Sequence, residues 1–112
     1  MRNDSERLRD IQEAIQRLEQ CLPTDNDLSL LNPIEIAGVV WHLQLIGEAA
    51  AKLSESFKES HPEIKWKAII RSRNIFVHQY FDIDLTLVQA ILSKELPLLK
   101  AQIQAILDCD AW

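Results

Sequence analysis

Apolar residues recur three or four positions apart along most of this chain, and this spacing constrains the fold more than any other feature. The clearest stripe consists of Leu8, Ile11, Ile15, Leu18 and Leu22. Such a stripe is typical of a helix, whereas a half-buried strand would show strict alternation. Only two glycines and four prolines are available to interrupt helices among 112 residues. The sequence therefore predicts one all-helical domain spanning residues 1–112.

Capping and turn residues divide this pattern into helices. Turn formers mark a break over residues 23–33, and Asn32 stands before a proline that suits a first helical position. Ser60 and Glu63 have the spacing of a capping box, and Asp84 precedes another apolar stripe. The predicted helices run from Asp4 or Ser5 to Cys21, from Pro33 toward Leu53 and Phe57, from about Pro62 to His78, and from Leu85 onward. Pro97 interrupts the last stripe, so we expect a four-helix bundle whose final helix is kinked or split there.

Charge and composition exclude several classes of protein. The net charge of −5 argues against a general binder of nucleic acid or membrane, so any anion site must be a local patch. We find no run approaching the roughly 20 apolar residues of a membrane span and no secretory h-region after the charged N-terminus, so we expect a cytoplasmic protein. Cys21 and Cys109 are isolated, which indicates reduced thiols and predicts neither a metal site nor a cofactor.

Arg73 occupies an unusual position in the predicted third helix. Its neighbours three and four positions away are Ile69, Ile70, Phe76 and Val77, all apolar. A guanidinium does not deprotonate at ordinary pH, so it needs either access to water or an anionic partner. One interpretation is an ion pair with an acidic residue of a neighbouring helix, and the other is a bound anion.

The same helix carries a polar stripe and too many apolar faces for the outer helix of a monomer. On a helical wheel Arg71, Asn74 and His78 lie within about 40° of Lys67, while apolar residues fill three other sectors. Arg73 and His78 lie about 140° apart, so one straight helix does not easily aim both at one atom. A two-fold axis along this helix would bring an Arg and a His from each of two chains to a shared seam.

A short basic segment precedes Arg73 in this acidic chain. The residues KWKAIIRSR at 65–73 hold four of the twelve basic residues and no acidic one. A position on a solvent-exposed helix face accounts well for the charge of Lys65 but poorly for that of Arg73, whose helical neighbours are apolar. His78 follows this segment, and an imidazole near its ordinary pKa can both accept and donate a proton at neutral pH.

The string RNIFVHQY resembles the signature of HEPN domains, and with Tyr80 it resembles the HepT toxins of HepT/MntA toxin–antitoxin pairs. The flanking strings IGEAA at 46–50, HPEIKW at 61–66, FDIDLTLV and ELPLL are also similar to that family. The resemblance implies an all-α, HEPN-type four-helix bundle that dimerises through the motif helix and cleaves RNA without a metal.

The resemblance also implies roles for individual residues. His78 would transfer protons, Arg73 would hold the phosphate, and Asn74 would orient His78 or bind the RNA backbone. Lys65, Lys67 and Arg71 would attract the RNA.

Tyr80 and Glu48 have two interpretations each. The resemblance implies that an MntA-like nucleotidyltransferase antitoxin attaches AMP to Tyr80 and so blocks the site. Otherwise Tyr80 ends a helix with its ring on the bundle. Glu48 either supports the site by pairing with Arg73 or Arg71, or belongs to a solvent face with its neighbours Gln44 and Lys52.

Two functions other than a ribonuclease are compatible with the sequence. The first is a catalytically silent helical subunit that docks a nucleotidyltransferase and presents substrate to it. The second is a helical dimerisation module whose polar stripe only fixes register. Neither needs the pair of Arg73 and His78, and this pair therefore distinguishes them from the nuclease.

Overall fold

A computed structural model describes residues 3–72, 77–79 and 82–109, with the backbone alone at 72, 77–79, 82 and 83. Helix α2 contacts both α1 and α4, and α1 also contacts α6. The elements are α1 (Asp4–Cys21), α2 (Pro33–Ala51), α3 (Glu55–Ser60), α4 (Trp66–Ser72), β1 (Val77–Gln79), β2 (Asp82–Ile83), α5 (Leu85–Ala90) and α6 (Leu96–Leu107). The predicted all-α bundle is confirmed, with one short two-stranded ribbon added to it.

Helix α1 begins and buries its residues as the sequence predicts. Asn3 accepts a hydrogen bond from the Glu6 backbone N–H at 2.9 Å, and its own N–H donates to the Glu6 carboxylate at 3.2 Å. This reciprocal pair is a capping box, which satisfies N–H groups that have no partner inside the helix. The predicted stripe is the buried face, because Leu8, Ile11 and Ile15 are at most 1% exposed.

Two short 3₁₀ turns form the predicted break between α1 and α2. They cover Thr24–Asn26 and Leu28–Leu30. Asp25 and Asn26 have φ values of 59° and 54°, a left-handed conformation that Asp and Asn tolerate better than most residues. Hydrogen bonds from the Ser29 hydroxyl and backbone N–H lower the pKa of Asp27.

The second predicted helix is capped as expected but ends earlier. Asn32 and Glu35 form a capping box at its start. The predicted continuation to Phe57 is wrong, because α2 ends at Ala51 and α3 follows as a separate helix. Ser54 caps α3, and its N–H and Oγ donate to the two carboxylate oxygens of Asp4 at 2.9 and 2.6 Å. A contact between residues 50 positions apart therefore fixes this break.

The predicted start of the third helix is also wrong. Ser60 does not form a capping box with Glu63, because it is the last residue of α3 and its Oγ donates to the Ser56 carbonyl at 2.9 Å. The chain then turns through residues 61–65, and α4 begins at Trp66.

The predicted continuation of this helix to His78 is wrong as well. Val77–Gln79 is a strand, paired antiparallel with Asp82–Ile83 in an irregular register. A short apolar run with β-branched residues suits either structure, and here pairing with a second segment decides for the strand.

The last helix is split just before Pro97, as predicted. Asp84 caps α5 by accepting from the Leu87 N–H, and a π-helical turn at Ile91–Glu95 joins α5 to α6. A proline has no N–H and its ring would collide with the carbonyl four residues earlier. The wider π turn relieves this conflict while the helix continues.

The hydrophobic core lies where α1, α2, α4 and the α5–α6 segment meet. The side chains that are almost completely buried include Leu8, Ile11, Ile15, Leu18, Val88, Leu92 and Ile103. Among the residues described, none of the helices is both long enough and apolar enough to cross a membrane.

Replacing a core leucine tests this packing. Leu8→Ala should lower the free energy of unfolding by about 2–5 kcal/mol, because Leu8 is fully buried and its removal leaves a cavity. Leu98→Ala is the matched control, since Leu98 is 52% exposed, and should cost less than about 1 kcal/mol. Urea unfolding measures both, and similar losses for the two variants would contradict the core assignment.

Candidate functional site

The N-terminus of α4 is held firmly against the bundle. Trp66 is 7% exposed, and its Nε1–H donates to the His61 carbonyl at 3.0 Å. The Trp66 ring also contacts the ring of Phe57, with centroids 5.9 Å apart. Ile64 is buried in the turn before the helix. These anchors fix the position of α4 against the bundle.

The three residues predicted to bind RNA lie at the protein surface, on α4 or directly before it. Lys65, Lys67 and Arg71 are exposed, and within the described part of the chain none of them forms an ion pair. Lys67 and Arg71 are four residues apart on α4 and therefore lie on one face. Ile69 and Ile70 are half-buried between them and the core. The arrangement leaves positive charge available to an anion in solution.

The predicted catalytic residues fall at the edge of the described structure. Arg73, Asn74 and Tyr80 lie outside the described residues, as does the His78 side chain. The His78 backbone belongs to β1, so the polar stripe of one straight helix extends over Lys67 and Arg71 but does not reach His78. The angle of about 140° that a wheel assigns to Arg73 and His78 does not apply to a helix followed by a strand.

Glu48 is exposed and borders a charged groove between α1 and α2. The groove has a volume of about 270 Å³, and its charged lining residues are Arg7, Asp10, Glu13, Arg17, Glu48 and Lys52. Arg73, one of the two partners that the sequence suggests for Glu48, lies outside the described residues.

An apolar surface on α2 is the main feature that sequence reasoning missed. Ile34, Trp41 and Leu45 are 82%, 53% and 37% exposed although α2 also buries its opposite side in the core. The signal for it was present, because residues 36–47 contain no charged side chain.

Within the described ranges, the thiols and the other groups that can bind metals form no second site. Cys21 and Cys109 are exposed free thiols. Among the described residues, no cluster of three or more His, Cys, Asp or Glu side chains is arranged to hold a metal ion.

Comparison with known proteins places these features in a family. The profile described as Ribonuclease HepT-like matches residues 11–106. A probable ribonuclease HepT of Thermococcus cleftensis is 30% identical over 110 residues, covering 94% of this chain and 96% of the relative. A putative RNase of Caldanaerobacter subterraneus is 33% identical over 68% of each chain. A putative RNase of Methanocaldococcus jannaschii is 34% identical over 61% of this chain and 62% of its own, slightly less than two thirds of that relative. A search of solved structures gave no significant match.

The bundle of α1, α2, α4 and the split α5–α6 helix, with its basic α4 segment leading into the motif, is that of a HEPN-type protein. Because the family profile covers most of the sequence, this chain belongs to the HepT-like ribonuclease family.

The anchor of α4 can be tested by removing one hydrogen bond. Trp66→Phe keeps a ring in the core but loses the bond from Nε1 to the His61 carbonyl, so the free energy of unfolding should fall by about 1–2 kcal/mol. Lys67→Ala changes an exposed side chain of the same helix and should stay within about 0.5 kcal/mol of the wild type. Equal effects in urea unfolding would show that Trp66 does not anchor the helix.

Proposed function

We propose that this chain is a metal-independent endoribonuclease toxin whose site forms between two copies of the chain. The observation that carries the proposal is the string RNIFVHQY, placed directly after the exposed basic residues of α4 in a chain of the HepT-like ribonuclease family. Relatives named as probable or putative ribonucleases support it.

The proposed reaction uses the RNA's own 2′-hydroxyl as nucleophile. The 2′-oxygen bonds to the adjacent phosphorus while the bond from phosphorus to the 5′-oxygen breaks, which leaves a 2′,3′-cyclic phosphate and a 5′-hydroxyl end. A base must take the 2′ proton and an acid must give a proton to the leaving 5′-oxygen. An imidazole can do both at neutral pH, and we assign these transfers to His78.

Arg73 and Asn74 complete the proposed site. The planar guanidinium of Arg73 matches two phosphate oxygens and stays charged, so it suits the crowded, more negative pentacoordinate phosphorus. Asn74 would orient His78 or bind the RNA backbone.

The charge distribution supports RNA as the substrate of this region. The chain is acidic as a whole, yet Lys65, Lys67 and Arg71 are exposed in a segment without acidic residues. Positive groups on one surface attract phosphates, and the surrounding negative charge limits binding elsewhere.

The homodimer explains the surroundings of Arg73 in the sequence. The apolar neighbours of Arg73 would pack against a second copy of the chain. The guanidinium would then lie beside the shared seam, where the bound phosphate is its anionic partner. Two-fold symmetry would supply an Arg73 and a His78 from each chain to this seam.

We propose further that an MntA-like nucleotidyltransferase neutralises the toxin. It would transfer AMP to Tyr80, the only tyrosine in the chain and two residues from His78. The added bulk and negative charge would fill the site and repel RNA.

RNA cleavage in EDTA tests the proposed nuclease. Wild-type protein should cut total tRNA or an mRNA and leave 2′,3′-cyclic phosphate ends. Arg73→Ala and His78→Ala should reduce the rate by about 10²-fold or more, because each removes a group that acts in the transition state. Tyr80→Phe should keep cleavage but should no longer be inactivated when the nucleotidyltransferase and ATP are added.

Arg9→Ala and His61→Ala are the matched controls. Arg9 is exposed on α1, and His61 keeps the backbone carbonyl that accepts from Trp66 after substitution. Both should cleave RNA like the wild type. No cleavage by folded, unmodified wild-type protein would contradict the nuclease and favour the silent docking subunit.

A further inference from the structure

An apolar cleft lies between α4 and the α5–α6 segment. Helix α4 packs on α2 whereas α6 packs on α1, so the two helices rest on different supports and a gap remains between them. The gap has a volume of about 330 Å³. We call it the α4–α6 cleft, and the apolar residues on its walls include Ile69, Leu87, Ile91, Leu96, Leu98 and Leu99.

The cleft reaches into the bundle, and its lining is mostly apolar. Leu43 and Ile46 of α2 line it although each is only 3% exposed, so they form its floor. Ile69, Leu87 and Ile91 are half-buried on its walls. Pockets of about 300–1,000 Å³ with mainly apolar walls are typical binding sites for small molecules. The cleft is at the lower end of this range, which suits a group of one or two rings.

Polar side chains surround the entrance of the cleft. They are Glu63, Lys65, Glu95 and Gln102. Lys65 and Glu95 are exposed, and neither forms an ion pair with a residue that the structure describes. Gln102 Nε2 donates to the Glu63 carbonyl at 3.1 Å and thereby links α6 to the turn before α4. A few polar groups around apolar walls orient a ligand and make its binding specific.

The cleft borders the segment that the proposed nuclease uses. Ala68 lines it on α4, shortly before the motif, and Leu87 lines it in the first turn of α5, after the ribbon that contains the His78 backbone. The motif therefore connects one wall of the cleft to the other along the chain. Arg71 lies three positions after Ala68, so the two are neighbours on the helix surface.

The charges around the cleft separate the two parts of a nucleotide. Lys67 and Arg71 are exposed cations that attract phosphate, whereas the carboxylates of Glu63 and Glu95 repel phosphate from the cleft itself. A nucleobase has no net charge at neutral pH and has apolar faces, so it can enter where phosphate cannot. The small side chain of Ala68 leaves the way from the cations to the cleft open.

The entrance also has groups that can recognise the edge of a base. The Glu95 carboxylate only accepts hydrogen bonds, so it suits an exocyclic amino group. The Lys65 ammonium only donates, so it suits a ring nitrogen or a carbonyl oxygen. Adenine presents an amino group beside a ring-nitrogen acceptor, whereas uracil has no amino group. A purine also offers more ring surface to the apolar walls than a pyrimidine does.

We propose that the α4–α6 cleft binds one unpaired purine base of the RNA substrate. The proposal deepens the function above and rests on it for the identity of the substrate. Proteins commonly recognise single-stranded RNA through bases that leave the stack and enter pockets lined by aromatic or apolar side chains. The exposed cations of α4 would hold the adjacent phosphates while the cleft selects the base.

Oligonucleotides that cannot be cleaved test this selection. Hexamers of 2′-O-methyl adenosine and of 2′-O-methyl uridine have the same phosphates and no free 2′-hydroxyl. Fluorescence anisotropy at one fixed salt concentration gives the Kd of each. Wild-type protein should bind the adenine hexamer about tenfold more tightly than the uracil hexamer. Equal affinity for the two would overturn the proposal.

Ala68→Leu tests whether this preference arises in the cleft. Ala68 is exposed, so a leucine there leaves the core intact but narrows the entrance, and most of the preference for adenine should be lost. Ala101→Leu is the matched control, because it enlarges an exposed alanine of α6 that does not line the cleft, and it should keep the preference. Loss of the preference in both variants, or in neither, would overturn the proposal.

Three further variants separate recognition of the base from attraction of phosphate. Glu95→Gln should weaken binding of the adenine hexamer relative to the uracil hexamer, whereas loss of negative charge alone would strengthen both equally. Lys67→Ala should weaken both hexamers by the same factor, because it acts on phosphate. Glu59→Gln, at an exposed carboxylate of α3, should leave the ratio of the two Kd values unchanged. An unchanged ratio in Glu95→Gln would overturn the proposed contact with the base.

Failure of the cleft is distinguishable from failure of the nuclease. RNA cleavage in EDTA by a wild type without a preference for adenine would overturn the cleft and leave the ribonuclease. A preference that Ala68→Leu removes, in a protein that cleaves no RNA, would support the cleft and contradict the ribonuclease. If Ala68→Leu changes the sedimentation of the protein but not its preference, the cleft contacts a protein, and this result would also overturn the proposal.

Discussion

The packing of α2 against both α1 and α4 is the contact on which the rest of this structure depends. Its buried face, centred on Leu43, joins the stripe of α1 to the helix that carries the basic segment. Without this central helix the remaining elements could not bury enough apolar surface to stay folded. The same helix also exposes the apolar side chains of Ile34, Trp41 and Leu45 on its opposite side.

The position of the basic segment follows from that packing. Trp66 is fixed by the core and by the His61 carbonyl, so the following turns of α4 must expose Lys67 and Arg71 on the outer side. Burial of an aromatic anchor next to exposed cations makes a local positive surface in an acidic chain. In the proposed function this surface receives RNA beside the motif that begins at Arg73.

Features fixed by neighbouring residues were predictable from the sequence, and features fixed by distant contacts were not. The caps at Asn32 and Asp84 and the break before Pro97 depend on local chemistry. The break after α2 was missed because Leu53 and Phe57 stay buried and keep the helical spacing, while its cause is the contact between Ser54 and Asp4. The strand at Val77–Gln79 likewise depends on a pairing partner.

The candidate site was only partly predictable from the sequence. Lys67 and Arg71 are exposed on α4, as the polar stripe in the sequence indicates, and their role stays a prediction. The exposed apolar surface of α2 needed the structure, because a charge-free helix is compatible with burial on all sides. Arg73 and His78 rest on their motif and on the family to which the chain belongs.

Complementation between inactive chains tests the central claim most directly. When Arg73→Ala and His78→Ala chains are unfolded together, refolded and assayed, half of the dimers should be mixed. If Arg73 of one chain acts with His78 of the other, each mixed dimer keeps one of its two pairs. Because half of the dimers are mixed, about a quarter of wild-type cleavage should return. The same chains refolded separately should remain inactive. No recovery from verified mixed dimers would contradict a site shared between two copies.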